Sequence, residues 1–367
     1  MKNTHFVQES LLLENKFIST SQVLNKNRND FKMKDKIILK TNLWEIKKLQ
    51  VNIKFYQALG VDWILLGAFE RLNEGEIKEI LALNEAYQKA GIGLILSFDI
   101  SKLMGKLLGT NLLEIDFSDP KIRQGLYHFL GYLIRHGIKG FDLVGLEELE
   151  INDGGLVPAV RELNKNTFFN KDILSLAEVN VDKKTLLALA SPKISCLSLV
   201  RPGEKFDNIM ALTKDFERVN SGLCLCFDNF DQSDINFYNY PLSAKRLIYM
   251  TLFFLKGSLY IEEDDFDIED VKFLRELFTH KDSAKKLVRT QKILPKEKDI
   301  LAFIRYGEGK KVLFLANLSE KEVLLDLAFK VMDYKDYKYL AGSITRRTLY
   351  RTTLLRPYEA VAFINCK

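Results

Sequence analysis

The chain has 367 residues, 47% hydrophobic and 28% charged, long enough for one barrel of about 250 residues plus a small companion, or for several smaller domains. Its 54 basic and 49 acidic side chains leave a net charge of only +5, and the basic residues are dispersed. No dense basic stripe interleaved with aromatics occurs, so a nucleic-acid partner is not expected.

Residues 1–35 are polar, rich in Asn, Lys and Ser, and show no clear period. A rhythm then begins. Lys36 to Lys40 is strand-like, and Leu43 to Leu59 has helical spacing closed by Gly60. Val61 to Gly67 reads as a buried strand. Glu74 to Ala90, opened by acidic residues and closed by Gly91, reads as a helix. Ile92 to Phe98 is the next strand, followed by a link of about twenty residues. Asp119-Pro120 starts a helix over 119–136, with Pro120 near the first helical position. It feeds the apolar strand 138–144, edged by glycines.

The alternation continues. Helices are predicted over Val157 to Asn164, Asp182 to Ala190, Lys205 to Val219, Leu242 to Leu255 and Ile268 to His280. Strands are predicted over Asp172 to Glu178, Ile194 to Val200, Leu223 to Phe227 and Ser258 to Ile261. Eight strand–helix units over about 250 residues predict an α/β fold, a closed (β/α)8 TIM barrel, over 36–285. No phosphate-binding glycine loop is present, which argues against a doubly wound nucleotide-binding sheet. From 290 to 367 the pattern changes. Ile300 to Tyr306 and Lys311 to Ala316 flank Gly307-Glu308-Gly309, a hairpin signature. Val323 to Leu327, Thr348 to Leu355 and Ala360 to Ile364 are further strands, so a small C-terminal antiparallel β-sandwich domain is expected.

Cys196, Cys224, Cys226 and Cys366 form no C-x-x-C pair. Cys224 and Cys226 alternate in an apolar run and read as buried strand thiols of a reducing compartment. The apolar run near the N-terminus is too short and interrupted for a signal peptide, and no stretch approaches a membrane span. A cytoplasmic location without a membrane partner is therefore expected. His5, His128, His136 and His280 show no metal-ligand spacing, so neither a catalytic metal nor a cofactor is expected. Trp44, Trp63 and Tyr127 read as core rather than as ligand platforms.

Several phrases carry a family resemblance. Asp116…Asp119-Pro120-Lys121-Ile122-Arg123 and then Gly137-Ile138-Lys139-Gly140-Phe141 are similar to "D-x-x-N-P-x-V-R … G-V-D-G-F-R-x-D". Ala58-Leu59-Gly60-Val61-Asp62-Trp63-Ile64 resembles "L-G-V-D-A-I-W", and Asn229-Phe230-Asp231-Gln232 resembles "N-H-D-Q". Ser243-Ala244-Lys245, Lys256-Gly257-Ser258 and Ala316-Asn317-Leu318-Ser319 are similar to "S-A-K", "P-G-T-P" and "N-F-S". In that order, over residues 43 to 365, they resemble the α-amylase family of glycoside hydrolases, without the inserted domain that usually follows strand three.

The resemblance implies a retaining mechanism built from carboxylates at the C-terminal ends of barrel strands. It implies Glu178 as general acid and Asp231 as the transition-state carboxylate, with Asn229, Asp142 and Asp99 near the substrate. It also places Val144 at the nucleophile position and Asp142 at that of the family's arginine. Phe230 takes the place of a substrate-binding histidine, Ser97 that of an aspartate, and Ser101 and Lys102 those of Asn and His. An isopropyl group cannot attack an oxocarbenium-like centre.

The expected function is thus a catalytically impaired glycoside hydrolase homologue that binds an α-glucoside or oligosaccharide, or acts as a regulator or protein partner of an active relative. The alternative is an active α-glucosidase-type hydrolase with a rearranged carboxylate site, its nucleophile drawn from Asp99, Glu147 or Glu148, or an inverting pair of Glu178 and Asp231. Asp142 shares a strand face with Val144 and lies one layer deeper. Buried away from arginine, it is expected to have a raised pKa or a hydrogen-bonding partner.

Overall fold

Each of the eight apolar runs forms a parallel strand, and the strands close on themselves. In the computed structural model these are β1 (Ile37–Thr41), β2 (Trp63–Phe69), β3 (Gly93–Asp99), β4 (Gly140–Val144), β5 (Leu174–Glu178), β6 (Ile194–Val200), β7 (Leu223–Phe227) and β8 (Ser258–Glu262). Neighbours pair in chain order, and β1 closes the barrel against β8 through Ile38↔Tyr260 and Lys40↔Glu262. The structure describes residues 36–41, 46–69, 73–108, 117, 119–146, 156–168, 173–178, 194–200, 223–227, 242–255, 257–263, 268–293, 299–327, 331, 333–344 and 347–366. Trp44 and the predicted helices 182–190 and 205–219 lie outside them.

The interior follows from alternation along the strands. Ile38, Trp63, Leu65, Ile95, Leu174, Leu176 and Tyr260 form one cluster inside the barrel. The larger core lies between the strands and their helices and includes Leu39, Ile64, Leu94, Phe98, Phe141 and Leu143. Trp63 and Tyr127 are core residues, only 5% and 8% exposed. Gly93 is needed where it stands, because a Cβ there would lie 2.1 Å from the Trp63 indole. At Gly140 a Cβ would come within 2.4 Å of the Leu94 carbonyl oxygen.

Two helices start where their capping residues predict. Asn73 accepts from Glu76 N (2.9 Å) while Glu76 accepts from Asn73 N (2.8 Å), a reciprocal cap on the helix Glu74–Lys89. Asn73→Ala is expected to lower stability by about 1 kcal/mol, read as a shifted urea midpoint; an unchanged midpoint would show that the cap contributes nothing. Asp119 caps the helix Pro120–Arg135 through Lys121 N (2.8 Å), with Pro120 at its first position. Arg123 then anchors that helix to the Phe117 carbonyl (2.7 Å) and to Glu162 (3.3 Å).

Three expectations are corrected. The link after β3 opens as a helix, Ile100–Leu108, because Ile100, Leu103 and Met104 bury one apolar face. The helix Leu156–Leu163 does not stop at Asn164 but widens into a π-turn over Asn164–Phe168 that buries Phe168. The C-terminal region has two strands more than predicted, β9 (Arg289–Ile293) and β13 (Lys338–Gly342), and the predicted strand from Thr348 begins only at Thr352.

That region contains a five-stranded antiparallel sheet in the order β13, β15 (Ala360–Asn365), β11 (Lys310–Asn317), β10 (Ile300–Gly307), β9. A two-stranded sheet joins β12 (Val323–Asp326) to β14 (Thr352–Leu355). Leu325 and Leu355 of the small sheet share a core with Leu313, Leu315, Val361 and Phe363 of the large one. The expected β10–β11 hairpin forms, with Glu308 (φ 47°) and Gly309 (φ 72°) both left-handed as its two-residue turn requires. Asn317 is buried and bridges the chain after β11 to that after β14, donating to the carbonyls of Lys321 (2.6 Å) and Arg356 (2.9 Å). The other face of the large sheet meets the helix Leu242–Phe254, where Phe254, Phe314 and Phe303 pack with centroids 5.7 and 4.8 Å apart.

Candidate functional site

The C-terminal ends of β3, β4 and β5 bring three of the singled-out positions into one layer of the barrel. Asp99, Val144, Glu178 and Leu197 are register partners across β3, β4, β5 and β6. Val144 is therefore flanked on both sides by an acidic strand-terminal residue. One layer below, Ser97, Asp142 and Leu176 are register partners.

Asp142 is 4% exposed and accepts a hydrogen bond from the Ser97 hydroxyl (2.7 Å). Its Oδ1 has no hydrogen-bond partner among the described residues. Burial pushes its carboxyl above the usual carboxylate range, opposed by the Ser97 hydrogen bond and by the field of Lys40. Both expectations for this residue, a raised pKa and a hydrogen-bonding partner, are met. Where the family resemblance implied a permanent cation, the floor of this mouth thus holds a buried carboxyl with a raised pKa.

The cation at this level comes from another strand. Lys40 on β1 forms an ion pair with Glu262 on β8 at 2.9 Å, each about one quarter exposed. Sequence reading missed this pair. Its signal was a charged residue two positions after Ile38 on the same strand face, opposite the acidic end of the apolar run 258–261.

Asp99 is the last residue of β3. Its Oδ1 accepts from the Lys102 backbone N (3.0 Å), and its Oδ2 lies 3.3 Å from the Lys102 ammonium. The carboxylate is thus engaged with the first turn of the following helix. Glu178 is the last residue of β5, beside Val144. Asn229, Phe230 and Asp231, like Glu147 and Glu148, lie outside the described residues. Among the described residues no group of His, Cys, Asp and Glu suited to a metal ion occurs, and no helix is long and apolar enough to cross a membrane.

No known protein-family signature matches this chain, and no curated protein sequence does either. Solved structures do. Trehalose-6-phosphate hydrolase from Bacillus licheniformis is similar at TM-score 0.65 and 12% identity, covering 91% of this chain and 99% of that one. Trehalulose synthase from Pseudomonas mesoacidophila is similar at TM-score 0.71 and 10% identity, covering 90% and 98%. Amy13B of Eubacterium rectale is similar at TM-score 0.67 and 10% identity, covering 90% and 95%. These neighbours are α-amylase-family glycoside hydrolases. At such identities the likeness establishes the fold, and it is the fold that the sequence resemblance implied.

Proposed function

We propose that this chain is a homologue of the α-amylase-family glycoside hydrolases that binds an α-glucoside or oligosaccharide at the barrel mouth and has lost the family's double displacement. In this reading residues 36–285 are the former catalytic barrel and 290–367 an appended β-sandwich. Glu178 and Asp231 are the remnant acid/base and stabilising carboxylates, and Asn229, Asp142 and Asp99 border the ligand. The cell would use the protein in the cytoplasm as a carbohydrate binder or as the partner of an active relative.

One observation carries the proposal: an isopropyl side chain, Val144, stands at the end of β4 in register between Asp99 and Glu178. Covalent displacement requires a carboxylate about 5 Å from the general acid, and a hydrocarbon has no lone pair to offer. The residue one layer below does not replace it. Asp142 is buried, bonded to Ser97 and raised in pKa by that burial, whereas a nucleophile must be ionised and must reach the anomeric carbon.

An active enzyme with a rearranged site is the second reading. It is favoured by Asp99 and Glu178 sharing the layer of Val144. Two strand spacings separate them, roughly 9–10 Å between backbones, and that suits a water between two carboxylates better than direct attack. The contacts of Asp99 to Lys102 oppose this reading, because they stabilise the carboxylate as a helix cap.

Two of the structural neighbours are named for trehalose 6-phosphate and trehalulose, so small α-glucosides are the first ligands to try. Calorimetry with trehalose, trehalose 6-phosphate and isomaltooligosaccharides is expected to show saturable binding, with a dissociation constant of about 1 mM or tighter. p-Nitrophenyl α-glucoside is expected to remain uncleaved. Turnover that disappears in Glu178→Gln would establish the second reading instead. Absence of binding to every sugar would remove the carbohydrate reading and leave a protein-partner role.

A further inference from the structure

The opposite end of the barrel, where the strands begin, holds a cluster of charge that the proposed function does not use. Lys36 precedes β1, Asp62 precedes β2, and Lys281 and Lys285 lie on the short helix Lys281–Lys285. Asp62 ties these parts together. Its Oδ2 accepts from Ile37 N (3.0 Å), and its Oδ1 accepts from the Lys281 ammonium (3.3 Å), which also donates to the Gly60 carbonyl (2.8 Å).

Lys36, Lys281, Lys285 and Arg305 line a cavity here with Ile37, Phe253 and Leu259. Its volume is about 20 Å³, enough for one water-sized occupant. Two of the lining ammoniums have donor capacity in hand. The Lys36 ammonium makes no hydrogen bond among the described residues, and Lys285 reaches Asp62 only at 3.8 Å, beyond hydrogen-bonding distance. Arg305 is already committed to the carbonyls of Phe254, Leu255 and Leu287.

Charge decides what can sit there. The cations are Lys36, Lys281, Lys285 and Arg305; the carboxylates near them are Asp62 and Asp282. Four against two leaves a local excess of positive charge beside apolar walls. Burial comes first in holding the Lys36 ammonium below the usual lysine range; Asp62 pulls the other way, and Lys285 and Lys281 add to the lowering. Such a group gains most from a counter-ion.

We propose that this cavity is a binding site for a small monoatomic anion of chloride size, held by Lys36 and Lys285. The anion joins the start of β1 to the helix Lys281–Lys285, two segments more than 240 residues apart in the chain, and so fastens the bottom of the barrel beside the Arg305 strand. Lys281 and Lys285 are each about one quarter exposed, which gives the ion a route to solvent.

The test is the thermal midpoint of the full chain, titrated with sodium chloride against sodium gluconate at constant total ionic strength. A saturable rise of roughly 2–4 °C with chloride is expected for the wild type. The rise should vanish in Lys36→Gln/Lys285→Gln. Crystals grown in bromide should show an anomalous-scattering peak in the cavity. The proposal is overturned by equal midpoints in chloride and gluconate, by an undiminished chloride effect in the double variant, or by a bromide-grown crystal with only water in the cavity. Should the double variant fail to fold, the bromide experiment on the wild type decides alone.

Discussion

Arg305→Met is expected to lower the unfolding free energy by about 3–5 kcal/mol. Arg305 is 1% exposed on β10, and its guanidinium donates to the carbonyls of Phe254 (2.9 Å), Leu255 (3.3 Å) and Leu287. Phe254 and Leu255 lie at the C-terminal end of the helix Leu242–Phe254, where carbonyls lack partners within the helix. A guanidinium suits this end because its positive charge also meets the negative pole of the helix. Methionine fills much of the same volume but donates nothing, so three buried carbonyls lose their donor. Arg305→Lys should fall between the two, since one ammonium cannot reproduce the planar fork. Urea denaturation followed by circular dichroism reads the effect as a lower midpoint. A loss below 0.5 kcal/mol, about the scatter of surface substitutions, would show that these carbonyls find other donors.

Asp142→Asn is expected to raise stability at pH 8 by about 1–3 kcal/mol and to remove a pH dependence at the same time. The sign follows from linkage. Burial raises the folded-state pKa of Asp142 above its unfolded value. Between those two values the folded protein holds a proton that the unfolded chain has released, so stability falls as pH rises through that window. Above the folded pKa the full penalty of a buried carboxylate applies. Asparagine does not titrate, and its carbonyl can still accept from Ser97 at the position now occupied by the carboxylate. Wild type and variant should therefore be close at pH 4 and diverge toward pH 8. The groups acting on Asp142 are Ser97 and Lys40, and Lys40 is in turn paired with Glu262. A variant that keeps the wild-type slope, or is less stable at pH 8, would show that the carboxylate is ionised and compensated in the fold. In that case Lys40 would be its counter-ion, and the mouth would be more polar than proposed.

The two effects bear on function differently. Arg305 concerns the attachment of the C-terminal sheet to the barrel, which a binder and an enzyme need alike. Asp142 concerns the chemistry of the mouth. A buried carboxyl with a raised pKa below Val144 lacks the permanent positive charge of the arginine that the resemblance implied there. This supports the binding reading.

Much of the barrel could be read directly. Its strands are short apolar runs, its helices carry caps such as Asn73 and Asp119, and both signals are local. The Asp142 prediction also needed only local rules, because residues two apart share a strand face and a buried carboxylate without a cation must hold its proton or find a donor. The helix Ile100–Leu108 was missed although Ile100, Leu103 and Met104 are spaced along one helical face, because the run reads as a glycine- and leucine-containing link. The strands Arg289–Ile293 and Lys338–Gly342 were missed because neither alternates strongly; each is defined by pairing with β10 or β15. Tertiary structure alone decided that Lys40 meets Glu262, 222 residues away, that Asp99 caps a helix, and that three lysines and an arginine surround one small cavity. The physical reason is the same in each case. Hydrophobic period and capping are properties of neighbours along the chain, whereas ion pairs, cavities and the field at a carboxyl arise only where closure of the barrel brings distant strands together.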